Sequence, residues 1–158
     1  MTRDIFMRHV GQASFYRYLH TGYYAFVTEF KEYYSRSMEL LRDPVAREGL
    51  LGNKERPIFT NVHNTAPARY GECAEVKRSM IADGCTVEGT VENSILFRGV
   101  KIGKGSVVRN SILLGGTVVG KNVVLDAVVA DKDTVISDGR RLAGCEELPY
   151  FIPKKKRL

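Results

Sequence analysis

Aliphatic residues recur along positions 76–145 in a pattern that no amphipathic helix produces. Leu96, Leu113 and Ala130 fall in one column, Ile102, Val119 and Ile136 in a second, and Val108, Leu125 and Leu142 in a third. The repeat is 17 residues long, with steps of 6, 6 and 5 between columns. Ile81, Val87 and Val91 fit the same frame as an earlier coil that lacks two residues after Gly89. A second column lies three or four residues beyond each aliphatic: Cys85, Thr90, Ser94, Val100, Ser106, Ser111, Thr117, Val123, Val128, Thr134, Arg140 and Cys145. All but Arg140 are small or β-branched.

Fixed self-similarity of this kind marks a solenoid, whose coils bury their apolar sides only against one another. Three columns per turn predict three short flat faces, with each aliphatic inside a corner. Beside it, the small residue lets neighbouring backbones approach. Val, Ile and Thr dominate, glycine is frequent and no apolar period of 3.6 survives, so the class is all-β rather than a helical stack. Gly84, Gly89, Gly99, Gly103, Gly105, Gly116 and Gly120 suit the corners, where positive φ is often needed.

Upstream, residues 1–19 hold short apolar stretches without a clear period. Phe15-Tyr16-Arg17-Tyr18 and Gly22-Tyr23-Tyr24-Ala25-Phe26-Val27 read as strand and turn, with more apolar surface than so small a segment can cover. Phe30, Tyr33, Tyr34, Met38 and Leu41 recur at helical spacing and predict one buried face. Thr28 is the expected cap, Glu29 suits the first turn, and Glu32 and Arg36 form an expected surface pair. Asp43-Pro44 stops this helix and starts a second, with Asp43 as cap. Positions 53–56 read as a polar turn, Ile58-Phe59-Thr60 as a strand, and Pro149 and Pro153 as the end of the solenoid. The expected organisation is a helix-containing region over 1–56, a connector over 57–72, the solenoid over 73–148 and a basic tail over 149–158. A chain that opens with half-satisfied apolar residues reads as a piece of something larger.

Composition narrows the function classes. Hydrophobic residues make up 44% and charged residues 27%, an ordinary globular balance. No apolar run approaches the roughly 18 residues of a membrane span, and the start lacks the pattern of a signal peptide; the expected compartment is the cytoplasm. The net charge of +6 comes largely from the final Pro-Lys-Lys-Lys-Arg-Leu, which reads as a solvated end. No basic stripe with interleaved aromatics runs through the repeats, so no nucleic-acid partner is expected. Cys73, Cys85 and Cys145 lack CxxC spacing, and two of them sit in the small-residue column, which predicts buried reduced thiols.

Several separate blocks carry a family resemblance. Gly22-Tyr23-Tyr24-Ala25-Phe26-Val27, then Tyr33-Tyr34-Ser35-Arg36-Ser37-Met38-Glu39-Leu40-Leu41, resembles the end of the catalytic domain of glucose-1-phosphate adenylyltransferases (ADP-glucose pyrophosphorylases). Ile58-Phe59-Thr60, Pro67-Ala68-Arg69-Tyr70, Ser79-Met80-Ile81-Ala82-Asp83-Gly84-Cys85 and Asn93-Ser94-Ile95 are similar to the family's connector and C-terminal domain. The resemblance implies a left-handed parallel β-helix built of hexapeptide repeats. It also sets two departures. The family's glycine-rich nucleotide loop and first metal-binding aspartate belong to a domain outside this sequence. The second aspartate that helps hold magnesium corresponds to Phe26, and the glycine after it to Thr28. Phenylalanine offers no oxygen to a hard cation. The expectation is therefore the C-terminal part of a non-catalytic glycogen-pathway subunit, with no catalytic residues, no metal ligands and no cofactor of its own. Magnesium would belong to the catalytic domain. Expected partners are a catalytic adenylyltransferase subunit, a second copy, or both.

The resemblance further implies a phosphorylated effector near the junction of helix region and β-helix, where Arg36, Arg69, Lys77 and Arg78 are the candidate anion ligands; arginine suits bidentate phosphate recognition. The alternative function is a stand-alone hexapeptide acyltransferase, which needs a histidine base. A carbonic anhydrase of this fold needs three histidines on zinc. His9, His20 and His63 all precede the first coil, so neither chemistry is favoured. Gly103-Lys104-Gly105 resembles part of a phosphate loop, but no helix follows it. Asp83, Asp126, Asp131, Asp133 and Asp138 are scattered over corners, and Asp131-Lys132-Asp133 reads as a turn with a local ion pair.

Overall fold

The computed structural model describes residues 2–54, 57–61 and 63–158. Three helices come first: α1 (Thr2–His9), α2 (Phe30–Arg42) and α3 (Pro44–Leu51). Five coils of three strands follow. They are β1 (Arg69–Tyr70), β2 (Glu75–Lys77) and β3 (Met80–Ile81); β4 (Thr86–Val87), β5 (Thr90–Glu92) and β6 (Ile95–Leu96); β7 (Lys101–Ile102), β8 (Val107–Arg109) and β9 (Ile112–Leu113); β10 (Val118–Val119), β11 (Val124–Asp126) and β12 (Val128–Ala130); and β13 (Val135–Ile136), β14 (Arg141–Ala143) and β15 (Tyr150–Ile152). Corresponding strands of successive coils pair in parallel, so the coils generate three five-stranded sheets. This is a hexapeptide-repeat β-helix.

The aliphatic columns are the interior. The first sheet aligns Val87, Ile102, Val119 and Ile136. The second aligns Val91, Val108, Leu125 and Leu142, and the third Ile81, Leu96, Leu113 and Ala130. Ten of these twelve are buried, while Ile81 and Leu142, in the outer coils, are partly so. Burying a Val, Leu or Ile contributes about 1.5–3 kcal/mol, so the stack gains stability coil by coil. Nine of the twelve small-column residues are buried beside it; Arg140 and Cys145 are exposed, and Thr90 is half-buried because it pairs with Val107 rather than standing level with Ser106. The buried hydroxyls are satisfied by backbone. Ser111 Oγ donates to the carbonyl of Arg109 and accepts from Val128 N–H, and Ser94 Oγ likewise joins Glu92 O and Ser111 N–H. The serines thus meet corner amides of the next coil that the ladders leave unpaired.

Corner chemistry divides in two. Gly99 and Gly116 take φ near +71° and +74°, the left-handed region that glycine enters without penalty. Gly103 and Gly120 have ordinary φ, which departs from the expectation for the corners. A Cβ at Gly103 would strike the carbonyl oxygen of Gly120, so close backbone approach is what demands glycine there.

The solenoid runs past Pro149 to the last residue, where the sequence pattern predicted its end. β15 pairs with β12, and Arg157 bridges to Val135. Ala130 aligns with Ile152, a separation five residues longer than the 17 between Leu113 and Ala130. The insertion breaks the frame, yet Ile152 and Leu158 keep the six-residue step and both pack on the core. Neither proline costs a ladder bond: Pro149 precedes the strand and Pro153 follows it. The basic tail is therefore a piece of coil with exposed side chains, not a loose end. Cys145 falls in the inserted turn and is exposed, as is Cys73; only Cys85 is a buried thiol, its pKa raised by burial.

The upstream region corrects other expectations. The segment 14–27 contains no strand, and neither does Ile58-Phe59-Thr60, where Phe59 is 90% exposed. Residues 2–9 form a helix that their irregular pattern did not signal. Of the predicted polar turn at 53–56, positions 55 and 56 lie outside the described residues. The cap of α2 is Glu29 rather than Thr28, in a capping box with Glu32. Thr28 instead donates its N–H and hydroxyl to Glu32, holding that carboxyl below the usual range. Glu32 being so engaged, Arg36 pairs with Glu39 at 2.7 Å. Asp43 caps α3 as expected, accepting from Val45 N–H.

Candidate functional site

The site is assembled where α2 ends against the β-helix. Strand side chains alternate, so the residue preceding each inward aliphatic of the third sheet points outward. These are Met80, Ile95, Ile112, Val129 and Phe151, an apolar stripe. The face of α2 carrying Tyr34, Met38 and Leu41 lies on it, and all three become buried with Ile112 and Val129. Tyr33 is half-buried and Phe30 packs edge-on against Phe151, ring centroids 5.2 Å apart. Burial raises the pKa of both tyrosines. One polar bond fixes the register: Tyr34 Oη donates to the carbonyl of Asn110 at 2.7 Å. At the far end Arg42 reaches Glu146, in the inserted turn, at 2.9 Å.

This docking leaves an open cleft of about 580 Å³ between the α2–α3 turn and the first coils. Arg42, Arg47, Arg78, Ser79 and Asn93 supply its polar lining, with Leu41, Pro44 and Met80 as apolar wall. Arg47 Nη1 donates to the carbonyl of Leu41 at 3.3 Å, and Arg78 Nη2 reaches Glu92 at 2.9 Å. Chemically, the cleft offers cationic donors beside an apolar surface.

Of the four basic residues singled out by sequence, Arg78 alone lines this cleft. Arg36 stands on the exposed side of α2 with Glu39, Arg69 opens β1 on the first sheet, and Lys77 ends β2, 3.7 Å from Glu75. Arg42 and Arg47 went unremarked in the sequence. Their signal was position: they flank Asp43-Pro44, where two helix ends must meet. Phe26 is exposed in the segment without regular structure before Glu29 and brings no oxygen ligand. Asp83 pairs with Arg98 at 3.0 Å, Asp126 accepts from Asn110 Nδ2, and Asp138 from Lys121 N–H. Asp131 accepts from the backbone N–H of Lys132. His9, His20 and His63 are exposed and lie outside the coils. Among the described residues, no group of three or more His, Cys, Asp or Glu is placed to hold a metal. No helix among them is long and apolar enough to cross a membrane.

Comparison with known proteins agrees with the architecture. Residues 63–147 match the family described as GlmU-like, C-terminal hexapeptide. A glycogen biosynthesis protein GlgD from Bacillus subtilis (strain 168) is 43% identical over 137 residues, which is 87% of this chain and 39% of that protein. GlgD of Geobacillus stearothermophilus is 57% identical over 72 residues, 46% of this chain and 20% of its own length. A glucose-1-phosphate adenylyltransferase of Bacillus thuringiensis (strain Al Hakam) is 35% identical over 118 residues, 75% of this chain and 31% of that enzyme. The chain spans at most about two fifths of the curated relatives it matches. Its repeat, its coils and these matches place it in the family of GlmU-like C-terminal hexapeptide domains, with GlgD proteins and glucose-1-phosphate adenylyltransferases as homologues.

Proposed function

We propose that this chain is the C-terminal β-helix region of a glycogen-pathway subunit of the adenylyltransferase type, acting in the cytoplasm in assembly and effector response rather than in catalysis. The observation that carries the proposal is where apolar surface is left over. The face of α2 is already covered by the third sheet, so that helix is an internal clamp rather than a docking element. Exposed instead are Phe15, Tyr16, Tyr18, Leu19, Tyr24 and Phe26, together with Ile58 and Phe59. Large apolar side chains left exposed in this way suit contact with another domain or subunit. The adenylyltransferases among the homologues support, as that partner, a catalytic glucose-1-phosphate adenylyltransferase. Adenylyl transfer rests on positioned metal and phosphate, and Phe26 at the magnesium position cannot contribute to it. Arg36, Arg69, Lys77 and Arg78 are the proposed contacts for a phosphorylated effector.

The test is to combine the full subunit containing this chain with a catalytic adenylyltransferase and record assembly mass and ADP-glucose formation. A larger assembly with altered rate or effector response is expected. An unchanged catalytic subunit in mass, rate and response would refute the proposal. Coenzyme release from acetyl-CoA in the presence of an amine or alcohol acceptor, abolished by His63→Ala, would instead favour an acyltransferase.

A further inference from the structure

We infer that the outer face of the first sheet is a docking surface for an acidic polypeptide segment of another protein. Its outward column reads Arg69, Thr86, Lys101, Val118, Val135 and Arg157 through successive coils. Lys104 and Lys121 follow one border, where Asn122 N–H donates to the Lys104 carbonyl and Gly139 N–H to that of Lys121. Lys132, Lys154 and Lys155 follow the other, where Lys155 N–H donates to the Lys132 carbonyl. All eight cations are exposed. The carboxylates along the same borders are Glu88, Asp131, Asp133 and Asp138, and two of them, Asp131 and Asp138, already accept backbone N–H groups. Asp83 and Arg98 cancel one another at 3.0 Å. Eight cations against four carboxylates leave a surplus of four positive charges, most of the net +6 of the chain.

What sets this face apart is that its cations lack counter-charges. On the second sheet opposite charges meet: Arg109 and Arg78 reach Glu92, and Lys77 reaches Glu75. Among the described residues, none of the eight on the first sheet forms an ion pair. Like charges fixed on a rigid lattice repel, and a partner that brings carboxylates relieves the repulsion. Charged side chains also guard an open strand edge against pairing. That accounts for Lys154, Lys155 and Arg157 in the last turn, but not for Lys101, Lys104 and Lys121 in interior coils. Strands lie about 4.8 Å apart, so the column from Arg69 to Arg157 runs roughly 24 Å. An extended segment laid along it sets a side chain against the sheet about every 6.6 Å, or about four in all. Thr86, Val118 and Val135, half-buried between the cations, match apolar residues between the carboxylates of such a segment. A phosphodiester backbone has nothing apolar to set against them. A second copy does not fit this face either, because two copies face to face oppose like charges.

The surface shares only Arg69 with the effector contacts proposed above, and none of the exposed aromatics of residues 15–26. It does not rest on the adenylyltransferase reading, so either can fail alone. The experiment is calorimetric titration of the full chain with poly-L-glutamate and, separately, with duplex DNA, at low and at physiological ionic strength. Saturable binding of poly-L-glutamate is expected, weaker as salt rises and tighter than that of DNA. Lys101→Glu combined with Lys154→Glu should weaken it about tenfold, since two attractions become repulsions. Arg109→Glu combined with Arg141→Glu makes the same change in net charge on the second sheet and should leave binding within about twofold. Thermal melting of both double variants near the parent's midpoint separates lost binding from lost fold. The neutral pair Lys101→Gln and Lys154→Gln, which adds no repulsion, should fold as the parent does and weaken binding about threefold. Tighter binding of DNA than of poly-L-glutamate would assign the face to nucleic acid and overturn the inference. Absence of saturable poly-L-glutamate binding, or equal losses in the two charge-reversed variants, would overturn it as well.

Discussion

The third sheet and the other two are alike inside and different outside, and the difference explains the molecule. All three bury one aliphatic per strand in the same register. The outward column of the third sheet is apolar, and α2 lies over it. One outward column of the second sheet alternates in charge instead: Lys77, Glu92, Arg109 and Asp126 stand in successive coils, with Arg109 and Glu92 3.7 Å apart. Opposite charges on adjacent strands stabilise a sheet in water. On the first sheet, Arg69, Thr86, Lys101 and Val118 make a mixed, solvated column. A solenoid supplies its own core, so its outer surfaces are free to specialise. Here one is committed to a helix and two are left to solvent or partners.

Truncation of outward residues gives the largest contrast between the sheets. Ile112→Ala on the third sheet should cost about 2–5 kcal/mol, as an inward Leu113→Ala would, because both side chains are fully buried. Val107→Ala, outward on the second sheet, should stay within about 1 kcal/mol. Urea unfolding of the three variants checks this; equal costs for Ile112 and Val107 would remove the distinction. A smaller effect follows from the bond of Tyr34 to Asn110 across the helix contact. Tyr34→Phe should lose about 1 kcal/mol by leaving the Asn110 carbonyl short of its donor. Thermal melting measures it, and an unchanged midpoint would mean that packing alone sets the register.

The smallest effect concerns the start of α2. The bonds from Thr28 lower the pKa of Glu32, so its contribution is present above the carboxyl's unfolded pKa. It is lost as pH falls through the folded value. Glu32→Gln should thus be less stable than the parent at neutral pH and converge with it in acid. Parallel pH titrations of unfolding would show the two curves meeting; a gap that persists in acid would assign the loss to something other than charge.

Legibility in the sequence followed periodicity. The twelve aliphatics, their columns and the small-residue partners could be read because each coil repeats the same two requirements. Where the period broke, the reading stopped: the insertion around Cys145 hid Ile152 and Leu158, although both occupy inward positions. The helix was visible from the spacing of Tyr34, Met38 and Leu41, but not what it covers. Nothing along the chain marks Met80, Ile95, Ile112 and Val129 as a second apolar column until the strands are known to alternate. The cleft was least legible. Arg78 is far along the sequence from Arg42 and Arg47, and only the docking of α2 brings them together.

Native-state hydrogen exchange tests the commitment of that helix most directly. If α2 is a permanent cover of the third sheet, its amides should exchange with protection close to that of β9 and β12, while residues 14–27 exchange freely. Exchange of α2 as rapid as that of residues 14–27, with the sheets still protected, would show that the helix is not held on the solenoid and would contradict the account.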